Sequence, residues 1–155
     1  MNKKLLLSLM SAMVMTGCAS VPTVSDSQST KAKEFNMPSE GKAGIYVYRI
    51  DSVFGAALKK DIYIEDECIG ETAPGVFFYH EVEGGKNQTV STESEFSANE
   101  VSLLAESGQL YFIEQYMKMG AFVGGAGLNK VESDVGKSEV IKLSMAEKGT
   151  CSNQG

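Results

Sequence analysis

The sequence predicts an all-β or mostly β domain: a small antiparallel β-sandwich with at most one short helix near the carboxyl end. From residue 41 onward, apolar residues recur with a period of two or in short runs, which is typical of strands. Turn residues separate these runs at the spacing expected of a small sandwich or barrel. The chain of 155 residues is also long enough for one domain with its own core.

Six segments carry the strand pattern, because β-branched and aromatic residues alternate or cluster between turn residues. They are Ala43–Ile50, Asp61–Glu65, Gly75–Val82, Asn87–Thr92, Glu100–Ala105 and a longest strand from Gly108 through Tyr116. Glu65–Gly70 is predicted to be a hairpin turn. Towards the carboxyl end, Ser133 and Asp134 are suited to cap a helix that extends through Met145, whereas Val140–Leu143 also fits a strand. A helix is favoured because the residues after Ser133 do not alternate.

Residues 1–17 are typical of a cleaved export signal. Two lysines precede an apolar run, Leu5–Met15, which as a helix spans about 16 Å and is too short for the roughly 30 Å hydrocarbon core. Gly17 and Cys18 resemble the lipobox of bacterial lipoproteins, in which the cysteine thiol receives a diacylglycerol and becomes the first residue. The alternative is an ordinary export signal that is followed by an incidental cysteine.

A lipidated Cys18 would hold the protein on a membrane, since each buried CH₂ contributes about 0.8 kcal/mol. Ala19 and Ser20 follow it, and the absence of Asp there resembles lipoproteins of the outer membrane, so we expect that location, facing the periplasm. Residues 18–40 are rich in Ser, Thr and Lys and lack apolar periodicity. They are expected to be a lipidated flexible tether to a domain at 41–155.

Two further cysteines, Cys68 and Cys151, remain after lipidation. An even pair of thiols in an exported chain favours a disulfide. The bridge would close a loop of about 84 residues and stabilise the fold by roughly 4–5 kcal/mol on the chain-entropy model. The alternative is two unrelated thiols, one of them buried and the other at a frayed terminus.

The charge balance excludes some partners. The 14 basic residues, less the two lysines of the export signal, leave 12 against 20 acidic residues and a net charge of −8. Phosphates repel such a chain, so neither nucleic acid nor a polybasic contact with anionic lipid is expected.

Two segments break the rule that loops are polar. Residues 54–58 and 120–128 are apolar and rich in small residues, and exposed apolar surface can mark a contact site. The alternative is that both segments cover the open end of the core. On the first interpretation the candidate contact residues are Phe54, Leu58, Phe122 and Val123.

Catalytic groups are few. The single histidine, His80, lacks the second histidine of a zinc helix, so we expect a half-exposed structural residue on a strand. The glycines at 124–127 lack the dinucleotide-binding spacing, and the carboxylates at 65–71 fit a solvated turn better than a calcium loop. The sequence therefore predicts no catalytic residue, no metal site and no cofactor.

The stretches Gly44–Arg49, Glu67–Gly70, Val82–Gly85 and Ala105–Ile113 carry a family resemblance. On them, the chain from Lys42 to about Leu143 is similar to the bacterial lipoproteins of the DUF2846 family, a domain of unknown function. The resemblance implies an export signal and lipobox followed by a compact β-rich domain. It supplies no catalytic residues to carry over.

Together these features predict a lipid-anchored protein of the cell envelope without enzymatic activity. Its partners would be the membrane, through the anchor, and an unidentified envelope protein bound in the periplasm. The alternative is a periplasmic carrier that holds a small apolar ligand in its β-core, with Phe54, Phe122 and Val123 at the mouth. A closed barrel with an internal cavity would favour the carrier, and a filled sandwich with exposed apolar loops would favour the binding module.

Overall fold

The computed structural model of the chain describes residues 17–93, 99–119 and 124–152. Two helices lie within these ranges, α1 (Asp26–Ala32) and α2 (Ser133–Val140). The strands of the same ranges are β1 (Lys42–Arg49), β2 (Lys60–Ile64), β3 (Glu67–Thr72), β4 (Val76–Glu83), β5 (Lys86–Thr92), β6 (Asn99–Ala105), β7 (Leu110–Lys118), β8 (Gly125–Val131) and β9 (Ser144–Met145).

The strands form two sheets that pack as a small β-sandwich, as the sequence predicts. The five-stranded sheet has the order β8-β7-β1-β4-β9, and the four-stranded sheet has the order β3-β2-β5-β6. Most neighbours are antiparallel, but β7 is parallel to β1 and β9 is parallel to β4. The predicted antiparallel β-sandwich is confirmed, and these two pairings are its parallel exceptions. Between β4 and β7 the chain forms β5 and β6 of the four-stranded sheet. β7 then pairs with β1 in the parallel direction.

The inner face of the five-stranded sheet, which faces the four-stranded sheet, is mainly aliphatic. Ile45 and Val47 of β1 point inward, as do Ile113 of β7 and Phe78 of β4, and all are almost fully buried. The four-stranded sheet contributes branched residues such as Ile62 to the same core. These side chains form one buried apolar cluster between the two sheets.

The outer face of the same sheet is aromatic and is covered by the helices. Tyr46, Phe77 and Phe112 are buried there against Val140 and Leu143. Both faces of β1 are consequently buried, which explains the unbroken apolar run in its sequence. The domain has three layers, where the sequence predicted two.

Six predicted strands are confirmed as β1, β2, β4, β5, β6 and β7. Three strands were missed: β3, β8 and the two-residue β9. The predicted turn Glu65–Gly70 turns only at residues 65 and 66, where Glu65 adopts a φ of 53°, and continues as β3. Residues 125–128, predicted to belong to an apolar loop, lie in β8 with Ala126 and Leu128 buried.

The prediction of a flexible tether through residue 40 is wrong. Ser25 and Gln28 form a capping box that begins α1, and Thr23 makes a β-bridge with Ala146. Phe35 packs edge-on against the Tyr46 ring at a centroid distance of 5.5 Å. A helix of seven residues is too short to show periodicity in the sequence, so it was not recognised.

The predicted carboxyl-terminal helix is confirmed, although it is shorter than expected. It ends at Val140 instead of Met145, and the chain then turns into β9 beside β4. The predicted disulfide between Cys68 and Cys151 is also present, with the two Cα atoms 6.0 Å apart. It fixes the final segment of the described chain to the four-stranded sheet, where the Ser152 hydroxyl donates to Asp61.

Candidate functional site

The two apolar segments found in the sequence meet at one end of the sandwich. A Cβ atom added to Gly55 would lie 2.8 Å from the Met117 side chain, and one added to Gly124 would lie 2.5 Å from Leu58. The loop 50–58 therefore packs against the end of β7 and the start of β8. We call this part of the surface, formed by residues 50–58, 117–119 and 124, the apolar end.

The candidate contact residues differ in their exposure. Phe54 is 51% exposed. Val53, which directly precedes the first segment, is 95% exposed, and Met119, which directly precedes the second, is 87% exposed. Leu58 is half-buried beside Gly124. Phe122 and Val123 lie outside the described residues.

A buried cation holds the loop of the apolar end in place. Arg49 is only 2% exposed, and its guanidinium donates hydrogen bonds of 2.7 Å to the carbonyl oxygens of Gly55 and Leu58. Burial lowers the pKa of Arg49. Such bonds from a charged donor in a dry environment are strong, so they fix the shape of the loop. In the sequence, Arg49 is only one residue of a predicted strand, and the signal of its role is a charge near the end of an apolar run.

Cys18 lies beside this loop. It is exposed and is the one cysteine that is not in a disulfide, all three cysteines being within the described residues. The backbone amide of the next residue, Ala19, donates a hydrogen bond of 2.7 Å to the carbonyl oxygen of Ala56. The chain therefore leaves Cys18 directly along the apolar end.

A polar network closes the sandwich behind the loop. The side-chain amide of Gln115, which is fully buried in β7, donates to the Thr92 hydroxyl at 2.8 Å. The Thr72 hydroxyl contacts the Gln115 carbonyl oxygen. These bonds join the two sheets. Gln115 was not recognised in the sequence, because its role depends on a pairing between sheets.

A second candidate site is a groove on the outer face of the five-stranded sheet, between α1 and strands β1 and β4. Its volume is about 590 Å³, within the range of small-molecule sites. The Tyr46 hydroxyl donates to the Ala32 carbonyl oxygen at 2.6 Å, and the Tyr79 hydroxyl donates to a Glu81 carboxylate oxygen at 2.9 Å. The wall is completed by Val24, Gln28, Lys31, Asn36, Met37, Ser39 and Met145.

Three groups of the groove, Tyr46, Tyr79 and Glu81, have shifted pKa values. Burial raises the pKa of Tyr46 to about 12. Burial also raises the pKa of Tyr79, and the hydrogen bond to Glu81 adds to that effect. Burial of Glu81 acts to raise its pKa, but the hydrogen bonds from Ser39 and Tyr79 and the charge of Lys42 together outweigh it, and the pKa is lowered. The groove thus presents protonated phenols and one carboxylate, which suits binding better than proton transfer.

His80 is more buried than expected, with its side chain 14% exposed. Its Nδ1 atom lies 2.7 Å from the Lys148 ammonium, so β4 is linked to the carboxyl-terminal segment. Burial lowers the pKa of His80, and the charge of Lys148 adds to the effect. Across the described ranges, no three His, Cys, Asp or Glu residues are grouped to hold a metal ion. No helix in the same ranges has both the length and the hydropathy to cross a membrane.

These features define a class: a disulfide-bonded β-sandwich with a third, helical layer and an apolar end beside an unpaired cysteine. The family model described as "Protein of unknown function (DUF2846)" matches residues 39–126, and the chain belongs to that family. A protein of Haemophilus influenzae, described as "Uncharacterized protein", is 50% identical over 135 residues, which cover 87% of this chain and 79% of the relative. No solved structure matches the chain.

Proposed function

We propose that this protein is a lipoprotein of the bacterial outer membrane that faces the periplasm and works by binding another envelope component, without catalysing a reaction. One observation carries the proposal: Cys18 is exposed and unpaired, at the end of a sequence typical of an export signal. A thiol in this position is accessible to the enzyme that would attach the diacylglycerol.

The disulfide supports the export step. Cys68 and Cys151 are far apart in the chain, at a separation of 83 residues, and such bridges persist in the periplasm but are rare in the reducing cytosol. A protein that forms this bridge and leaves Cys18 unpaired has one thiol for lipidation and two for stability.

The groove supports binding as the activity. It combines aromatic walls with the fixed carboxylate of Glu81, and Lys31 lies at its rim. Pockets of this kind hold a partner by apolar contact and select it by a few polar groups. The buried apolar cluster between the two sheets also supports a binding module, because a binding module needs a stable scaffold behind its groove.

The test of the lipid anchor compares the wild type with Cys18→Ser in a Gram-negative host. The wild type should stay with membranes in high salt, should enter solution only in detergent, and should have a mass that includes acyl chains. The Cys18→Ser protein should carry no lipid. Ser20→Ala is the matched control, because Ser20 is also exposed and the thiol is retained. A wild-type protein without acyl chains would refute the anchor.

The groove also supports a second candidate function, the carriage of a small apolar ligand outside the β-core. A fluorescent fatty acid should then bind the wild type and lose affinity for Lys31→Trp, in which the indole would fill the groove. Glu34→Trp is the control, since Glu34 is exposed on the same segment but does not line the groove. Equal binding by the wild type and both variants would exclude the groove as the ligand site.

A further inference from the structure

We propose that the apolar end is a membrane-docking surface, and that Val53, Phe54 and Met119 lie in the interfacial layer of the bilayer that holds the lipidated Cys18. The inference rests on the proposed function, because it needs the lipid anchor. It adds the orientation of the domain and assigns the exposed apolar loop to a lipid surface instead of a protein partner.

The first argument is the short path from the anchor to the loop. Ala19 directly follows Cys18, and its amide is hydrogen-bonded to Ala56 of the loop. One residue of extended chain spans at most about 3.6 Å. The acyl chains on Cys18 would therefore enter the bilayer immediately beside residues 50–58.

The second argument is that the following residues hold the domain close to Cys18. Val21 packs against the core between the sheets, and the Val24 amide donates to the Met145 carbonyl oxygen at 3.0 Å. A free tether of this length would let the domain tumble above the membrane. A segment attached at Ala19, Val21 and Val24 keeps the apolar end against the lipid surface.

The third argument is the chemistry of the two ends of the sandwich. The tip of the apolar end, residues 52–58 and 119, contains no charged residue and places Val53 and Met119 almost fully in solvent. The charged residues of the apolar end are Asp51 and Lys118, and the Lys118 ammonium donates to the Asn99 side chain. The opposite end carries charged turns at residues 65–67, 83–86 and 106. An uncharged apolar tip beside an acyl anchor fits the membrane interface, whereas the acidic end fits the aqueous side.

Arg49 gives the apolar loop a fixed shape. Its two hydrogen bonds to loop carbonyls, with the Leu58 amide donating to the Gly55 carbonyl oxygen at 2.9 Å, satisfy backbone groups that would otherwise need water. A loop with satisfied carbonyls can enter an apolar layer at lower cost. The groove remains in water, because Glu81 pairs with Gly44, at the half of β1 remote from Arg49.

The test uses tryptophan as a depth reporter, since the chain contains no tryptophan. Phe54→Trp places the reporter at the apolar end, and Leu104→Trp is the matched control. The two wild-type side chains are 51% and 53% exposed, and Leu104 lies on β6 opposite Asn87, at the other end of the sandwich. Each lipidated full-length variant is reconstituted in phosphatidylcholine vesicles with and without brominated acyl chains. Val53→Trp serves if Phe54→Trp does not fold.

We expect bromine to reduce the emission of the Phe54→Trp protein roughly twofold and to leave the Leu104→Trp protein unchanged, as interfacial insertion requires. Unquenched emission from both proteins, with acyl chains present by mass and with vesicle flotation intact, would overturn the docking surface and leave the anchor standing. Equal quenching of the two proteins would also overturn the docking surface, because both ends of the sandwich would then contact the bilayer. A protein without acyl chains would refute the anchor, and the docking surface with it.

Discussion

The two faces of the five-stranded sheet are buried by different side chains. The inner face carries Ile45, Val47 and Ile113 against the other sheet, whereas the outer face carries Tyr46 and Phe112 against the helices. On the outer face these two rings stack with centroids 4.9 Å apart. Two sheets approach each other over a wide area, which branched aliphatic residues fill well. Short helices touch a sheet at few points, and large rings extend far enough to bridge the gap.

The covering of both faces of the sheet explains the residue pattern of β1. A strand with one covered face alternates apolar and polar residues, whereas β1 is buried at seven consecutive positions from Ala43 to Arg49. An unbroken run of this kind indicates that both faces of the sheet are covered. The candidate groove also arises from this arrangement, because it opens where the helical layer only partly covers the outer face.

The largest expected effect concerns the disulfide, which joins β3 of the four-stranded sheet to the carboxyl-terminal segment. Replacing Cys68 and Cys151 together by Ala should lower the free energy of unfolding by roughly 4–5 kcal/mol, because the unfolded chain regains the entropy of a long loop. Urea unfolding of the oxidised wild type and the double variant measures this. Cys18→Ser is the control and should unfold like the wild type. A loss below about 1 kcal/mol would mean that contacts such as Ser152–Asp61 suffice.

The size and branching of the side chains explain why six strands were predicted and β8 was not. The six confirmed strands contain β-branched or aromatic residues on at least one face. In β8 the residues are small because Tyr116 lies across that strand, and a Cβ on Gly127 would come within 2.5 Å of its ring. β8 therefore lacks the alternation of large apolar and polar residues that indicates a strand, and it was predicted to be a loop.

The residues of the candidate sites were likewise predicted only in part. Cys18 and the disulfide pair were predicted because spacing and cysteine count are local or countable properties. The loop-binding role of Arg49 and the groove around Tyr79 were not predicted. Both depend on residues that are distant in sequence, which only the packing of α1 and the loop onto the strands brings together.

The second prediction compares the two faces at adjacent residues of β7. Phe112→Ala should cost about 3–5 kcal/mol and Ile113→Ala about 2–5 kcal/mol, because each leaves a cavity in a different layer. Hydrogen exchange separates them. Phe112→Ala should speed amide exchange in α2 selectively, since α2 packs on that ring, whereas Ile113→Ala should speed exchange in both sheets. Equal exchange patterns would mean that the layers do not open independently.

The third prediction tests how tightly the helical layer is packed. A Cβ on Gly136 of α2 would lie 2.3 Å from the Phe112 side chain, so Gly136→Ala must displace the helix or the ring. We expect a net loss of about 1–3 kcal/mol, despite the better helix propensity of Ala. Gly149→Ala is the control, because its nearest neighbour would be 3.8 Å away. An unchanged urea midpoint for Gly136→Ala would contradict close packing of the outer face.

The smallest expected effect is the pH dependence of the free energy of unfolding, which differs between a residue on the inner face of β4 and one on its outer face. His80 points towards the inner side, and burial together with Lys148 lowers its pKa in the folded protein. The unfolded chain then takes up the proton first, so the free energy of unfolding should begin to fall as the pH drops through about 6.5.

Tyr79, the preceding residue, faces the groove, and its raised pKa should weaken the fold only above about pH 10. Urea unfolding of the wild type and His80→Gln between pH 5 and 7.5 isolates the acid effect, because the carboxylates are common to both. The stability difference between the two proteins should change with pH in favour of His80→Gln at the acid end. A constant difference would assign the acid sensitivity to the carboxylates, and His80 would then be only a packing residue at the edge of the inner core.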